Sequence, residues 1–182
     1  ANEDGGARAF ALVTAGPGIT NSVTGLAGAW LESRELLVVG GQVKTEDLNG
    51  STRQIGIQEV DGVALVKGVT KRAVQLRAPI DFTELEKVVA AGRSDRKGPV
   101  FLEVCLDVQA REVEPFVADG KDVDISPPAQ RVTDRSKLDQ LVDLIQGAQR
   151  PVFLFGGGLG REAVRNSLDK LNQLQIPVMT TW

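Results

Sequence analysis

The chain has 182 residues, 42% of them apolar, and a formal net charge of -3, which is material for one good-sized domain or parts of two. It contains no histidine, no tyrosine and a single cysteine. This removes Ser-His-Asp and Cys-His triads, His-ligated metals, disulfide frameworks and Cys-rich zinc sites from the chain, and leaves carboxylates and lysines as its acid–base groups. The Lys and Arg residues are scattered, which argues against a nucleic-acid footprint, and no apolar run approaches the ~20 residues of a membrane span. The sequence therefore predicts a soluble cytoplasmic protein with neither nucleic acid nor membrane as a partner.

The first element in chain order is the apolar run Phe10-Ala11-Leu12-Val13, a strand that stops at Thr14-Ala15-Gly16-Pro17-Gly18-Ile19-Thr20-Asn21. Gly16 and Gly18 let the main chain turn sharply and lie against a ligand or a neighbouring chain, and Pro17 presets φ for a helix start. Such a bend is also what any strand-to-helix connection needs. The helix that follows carries an apolar stripe of Ile19, Val23, Leu26, Ala27 and Trp30, with spacings of four, three, one and three. Thr24, Gly25 and Gly28 leave one side without bulk, at a helix-propensity cost of about 1 kcal/mol per glycine. That small face suits packing against another helix or subunit.

Leu36-Leu37-Val38-Val39 reads as a strand opening into a Gly40-Gly41-Gln42 turn, and Lys44 to Gln54 as a polar loop that is mobile or awaits a partner. Ile57 to Val66 reads as a short helix and Ala73-Val74-Gln75-Leu76 as a strand. Asp81-Phe82-Thr83-Glu84 resembles a capping box that opens a helix with Phe82, Leu85, Val88 and Val89 inward. Val100 to Leu106 is predicted as a buried strand in which Cys105 is a structural, inert thiol.

From Asp107 to about Asp134 the prolines Pro115, Pro127 and Pro128 and many charges break any period, as in an interdomain linker. A second unit is predicted beyond it. Its helix bears Leu138, Leu141, Val142, Ile145 and Ala148. A strand Pro151–Phe155 then meets the turn Gly156-Gly157-Gly158-Leu159-Gly160, and a helix with Val164, Leu168, Leu171 and Leu174 leads to a strand at Ile176–Met179. Strand, glycine turn, helix, strand is a βαβ unit with parallel strands. Gly158-Leu159-Gly160-Arg161-Glu162-Ala163 fits G-x-G-x-x-A, but no ribose-binding acid follows the next strand, which argues against a free-standing NAD site. Both chain ends read as cut from something longer.

Five ordered stretches carry a resemblance. They are Leu12 to Asn21 with Val23-Thr24-Gly25-Leu26-Ala27; Gly41-Gln42-Val43; Ile57-Gln58-Glu59-Val60-Asp61; Val69-Thr70-Lys71; and Gly98 to Val104 with Asp107-Val108-Gln109. They resemble the thiamine-diphosphate enzymes of the acetolactate (acetohydroxyacid) synthase group. The resemblance implies an α/β fold: a parallel-sheet, Rossmann-like pyrimidine-binding domain, C-terminal part, over residues 1–109, a linker over 110–134, and the start of a central α/β domain over 135–182. It implies a carboligase or decarboxylase acting on 2-keto acids, a transferase or lyase of the kind used in branched-chain amino acid synthesis, assembled as a homodimer or homotetramer.

The resemblance also implies site residues. Gln58 matches the family glutamine beside the thiamine near the substrate, and Gly16, Pro17 and Asn21 match the turn bordering the pyrimidine ring. On the residues alone, Gln58 is a surface or helix-capping amide and Asn21 a helix-start side chain bonding its own backbone. The proton-relay glutamate and the Mg2+ motif of the family would lie outside this chain, so no metal ligands are assigned within it and the segment is expected to be inert alone. Gly156, Gly157 and Gly158 match the turn that begins the central domain, where some members hold FAD or another adenine nucleotide. Ile57 departs from the aromatic residue that acetolactate synthases carry before the glutamine, in the acceptor pocket. A different reading remains open on the residues: a noncatalytic Rossmann-like module that binds adenine nucleotides or forms oligomers.

Overall fold

Residues of alternating polarity and long apolar runs condense into parallel strands joined by helices. The computed structural model describes residues 10–48, 52–113, 134–157 and 159–181. The chain divides into two compact units, Ala1–Pro127 and Pro128–Trp182. Most of the expected linker, from 114 to 133, lies outside the described residues.

The first unit holds β1 (Phe10–Val13), α1 (Pro17–Leu31), β2 (Leu36–Gln42), α2 (Gly62–Val66), β3 (Arg72–Leu76), α3 (Phe82–Ala90), β4 (Pro99–Cys105) and the short α4 (Leu106–Gln109). Its sheet has the order β1-β2-β4-β3 with every pairing parallel. Side chains alternate across it with period two. Val38 of β2 and Phe101 of β4 face α1 and α2 and form one core with Ile19, Leu26 and Val66. Val100 and Leu102 face the other way and pack with Val88 of α3. Helices on both faces make this a doubly wound sheet, in keeping with the parallel, Rossmann-like α/β fold that the resemblance implies.

Several local expectations are corrected. Gly40, Gly41 and Gln42 are the last residues of β2, not a turn. A methyl group on Gly40 would stand 3.0 Å from Ile19 and 3.2 Å from Phe101, so the glycine lets α1 close directly onto the sheet. The helix expected from Ile57 begins only at Gly62, where Asp61 caps it by accepting from the Ala64 N–H at 2.8 Å. Asp81 does cap α3 through the Glu84 N–H, at 2.7 Å. Phe82 stays exposed at the first position of α3, whereas Val88 is buried. Leu106 ends outside the strand, half exposed at the start of α4, while Cys105 is buried. The expected mobile loop is tied down at its described start, since Thr45 donates to Asp107 through both N–H and hydroxyl at 2.8 Å.

The second unit contains α5 (Arg135–Gly147), β5 (Phe153–Phe155), α6 (Arg161–Arg165), α7 (Leu168–Gln173) and β6 (Val178–Thr180). Its two strands pair in parallel, the βαβ geometry expected. The single helix predicted between them is broken into α6 and α7, and β5 and β6 are each only three residues long. No helix among the described residues is long and apolar enough to cross a membrane.

Candidate functional site

In a parallel sheet wound on both faces, the chain leaves each strand at the same edge, and loops at that edge converge. The loops after β1 and β2 meet there. Gly16 caps α1 with φ 61° and ψ -106°, a conformation open to glycine and strained for other residues. Its carbonyl accepts the first helical hydrogen bond, from Thr20 N–H at 2.9 Å. Pro17 occupies the first helical position, where its missing N–H leaves nothing unsatisfied.

Gln58 arrives from the segment after β2 and lies directly on this bend. A methyl group on Gly16 would overlap the main-chain oxygen of Gln58 and stand 2.9 Å from its Cβ. Gln58 itself has φ 63°, so two left-handed residues face each other. The turn around Gln58 is braced from several directions. The Glu59 carboxylate accepts from the Ile55 N–H at 2.7 Å and the Gly56 N–H at 3.0 Å, and Gln54 donates to the Gly56 carbonyl at 3.0 Å. Gly56 packs against Val43 so tightly that no Cβ fits.

Behind the turn lies a buried polar network. The Gln42 amide donates to the Val60 carbonyl at 2.7 Å and to Glu103 Oε1 at 3.0 Å, while its own oxygen accepts from the Val43 N–H at 2.9 Å. Glu103, wholly buried on β4, takes a second bond at Oε2 from Gln75 at 2.6 Å. Burial raises its pKa above the usual 4.5, against the pull of the Gln75 and Gln42 hydrogen bonds, and nearby Asp61 adds to the rise.

The structure thus brings Gln58 and Gly16 together, with Pro17 and Asn21 exposed on the first turns of α1 beside Gly16 and the Gln58 residue also exposed. Ile57 is 87% exposed, so it stands at the rim and takes no part in the core. Gly156 and Gly157 follow β5 in the second unit, and Gly158 lies outside the described residues. Among the described residues no group of three or more His, Cys, Asp or Glu could hold a metal ion. The network of Gln42, Gln75 and Glu103 escaped sequence reasoning as a site feature. Its signal was a lone carboxylate inside the apolar run Val100–Leu106.

Chemically, the bend offers a crowded, glycine-floored surface edged by neutral amides. A primary amide can donate to a carbonyl oxygen or accept from an amino group without adding charge. Such amides suit a flat, neutral, hydrogen-bonding ring, while the space beside Gly16 is itself filled by the Gln58 main chain.

Residues 2–65 match the family described as thiamine pyrophosphate enzyme, N-terminal TPP binding domain. The acetolactate synthase large subunit of Lactococcus lactis subsp. lactis is 30% identical over 172 residues, covering 93% of this chain and 29% of that protein. The probable acetolactate synthase large subunit of Methanococcus aeolicus is 31% identical over 189 aligned positions, covering 98% of this chain and 31% of its own length. The glyoxylate carboligase of Escherichia coli O157:H7 is 30% identical over 172 residues, 93% of this chain and 28% of that protein. The chain therefore spans about three-tenths of the length of the relatives it matches.

Proposed function

We propose, from the premise that this chain belongs to the thiamine-diphosphate enzymes of the acetolactate synthase kind, that it forms the pyrimidine-side wall of a thiamine site. The enzyme containing it is a carboligase or decarboxylase of 2-keto acids, a transferase or lyase. The observation that carries the reading is the packing of Gln58 onto the Gly16 bend. When bound, the cofactor supplies the nucleophilic carbon that decarboxylates a 2-keto acid. Gly16 admits the main chain of Gln58, Pro17 fixes the start of α1, and Asn21 and Gln58 supply neutral hydrogen-bonding groups. Gln58 orients a keto-acid oxygen or the ring's amino group and leaves proton transfer to a carboxylate undisturbed by added charge.

The same reading makes the first unit part of a pyrimidine-binding domain and the second the start of a central domain. Mg2+ and the diphosphate would be held by residues outside this chain, and Gly156–Gly158 would border an adenine nucleotide such as FAD. A homodimer or homotetramer is part of it. In support, a Cβ at Gly25 or Gly28 of α1 would meet nothing within 4 Å, which leaves that helix face open to a second subunit.

The experiment is turnover of pyruvate and related 2-keto acids by the enzyme that includes this segment, with and without thiamine diphosphate. Gln58→Ala is expected to lower kcat/KM by roughly 10–100-fold, the loss of one hydrogen bond made in the transition state. Unchanged turnover in that variant removes Gln58 from the site, and turnover independent of thiamine overturns the reading.

A further inference from the structure

Glu103 is wholly buried, and among the described residues it is the one carboxylate, lysine or arginine side chain so enclosed. A carboxylate is an expensive occupant for a position flanked by Leu102 and Val104, where a hydrocarbon side chain would pack the sheet without desolvation cost. Something else must be gained from it. The register sets Glu103 opposite Gly40 of β2 and Gln75 of β3, with Gln42 two residues further along β2. Gln75 is therefore its direct cross-strand partner and Gln42 its diagonal one.

The Gln42 amide is then fully determined. Its oxygen is taken by the Val43 N–H, and one of its two N–H bonds is taken by Glu103 Oε1. The remaining N–H must point to the Val60 carbonyl, 2.7 Å away. An apolar residue at 103 would leave the amide free to rotate. The other contact is with the start of α2: the Gly62 backbone N–H interacts with the carboxylate, and a Cβ on Gly62 would run into Glu103 Oε1. Val60 and Gly62 are two and four residues beyond Gln58.

We propose that Glu103 is a positioning residue that, through the oriented Gln42 amide and its contact with Gly62, holds the Val60–Gly62 turn and so sets Gln58 against the Gly16 bend. The proposal rests on the thiamine-site reading of Gln58 only for its catalytic consequence.

The test uses the enzyme that includes this segment and reads two quantities, amide hydrogen exchange over residues 56–62 and the affinity for thiamine diphosphate. Glu103→Leu is expected to speed exchange over 56–62 by about tenfold beyond any change in the core strands, the effect of one lost hydrogen bond. Glu103→Gln keeps a carbonyl for Gln42 and is expected to restore protection, a rescue that a merely space-filling role would not predict. Gln42→Met, which keeps the carboxylate and removes the link to Val60, is expected to reproduce the local loosening and decides the matter if the leucine variant does not fold. Protection over 56–62 unchanged in folded Gln42→Met overturns the proposal, whatever Gln58→Ala does to turnover. Local loosening with unaltered cofactor affinity supports the clamp and overturns the thiamine role of Gln58 instead.

Discussion

The main-chain oxygen of Gln58 occupies the place where a side chain on Gly16 would begin. Both residues are in the left-handed region, Gly16 at φ 61° and Gln58 at φ 63°. Two loops that leave neighbouring parts of the sheet are thus locked at one point, and each limits what the other can be.

Gly16→Ala is expected to destabilise the protein by about 2 kcal/mol or more, combining the left-handed penalty with displacement of Gln58. Chemical denaturation measures the first effect. The second is read as weaker thiamine-diphosphate binding by the enzyme that includes this segment, and an alanine variant with wild-type stability and affinity would contradict the packing described.

Gln58→Gly separates strain from function. It relieves a left-handed penalty of about 1–2 kcal/mol but adds roughly 0.5–1 kcal/mol of unfolded-chain entropy. The expected outcome is a denaturation midpoint unchanged or slightly raised, with kcat/KM lowered by roughly 10–100-fold as in Gln58→Ala. Retained turnover would mean that the main-chain position at 58, and not its amide, is what the site uses.

Glu103 gives stability a defined slope with pH. Its folded pKa is raised above 4.5, chiefly by burial, so between 4.5 and the raised value the folded state keeps a proton that the unfolded state has released. Unfolding then releases a proton, and this group's contribution falls as pH rises through that window. Glu103→Gln is expected to flatten the slope. Denaturation midpoints measured across the window check it, and a variant with the same slope as the parent would assign the effect elsewhere.

Asp107 acts in the opposite sense. Hydrogen bonds from the N–H and hydroxyl of Thr45 hold its pKa at about 2, below the usual 3.8. Its stabilising contribution is present above 3.8 and is lost as pH falls from there toward 2. Asp107→Asn is expected to remove that acid-side loss and to loosen the start of the Lys44–Leu48 segment, which amide exchange at Thr45 would report. Unchanged exchange at Thr45 would show that the latch does not hold this segment.

Much of the fold was legible because burial dictates pattern. Phe10–Val13, Ala73–Leu76 and Val100–Val104 announce strands by apolar runs, and the Ile19, Leu26 and Val88 positions announce helices by their spacing. Misreadings fall where tertiary contacts override local preference. Gly40 and Gly41 suggest a turn, yet the missing side chain at Gly40 admits Ile19 and the strand continues through both. Residues 57–61 suggest a helix, but Glu59 gathers the N–H groups of Ile55 and Gly56 and bends the chain instead. The Gly16 bend was visible as a motif. That Gln58 would sit on it depends on contacts across 42 positions of sequence, which no local pattern encodes, and the role of Glu103 required knowing what stands beside it in the neighbouring strands.

The strand order carries a consequence for how the chain is made. β4 is the last strand of the first sheet to leave the ribosome, yet it lies between β2 and β3 and is the partner they share. Among the described strands, β3 has no neighbour to pair with and β2 only one until Cys105 has emerged, and joining β2 to β4 closes a loop of more than fifty residues. Nascent chains halted before Pro99 would therefore carry bare strand edges, the form most in need of chaperone cover, whereas a pause shortly after that strand would release a sheet able to zip from its middle outward.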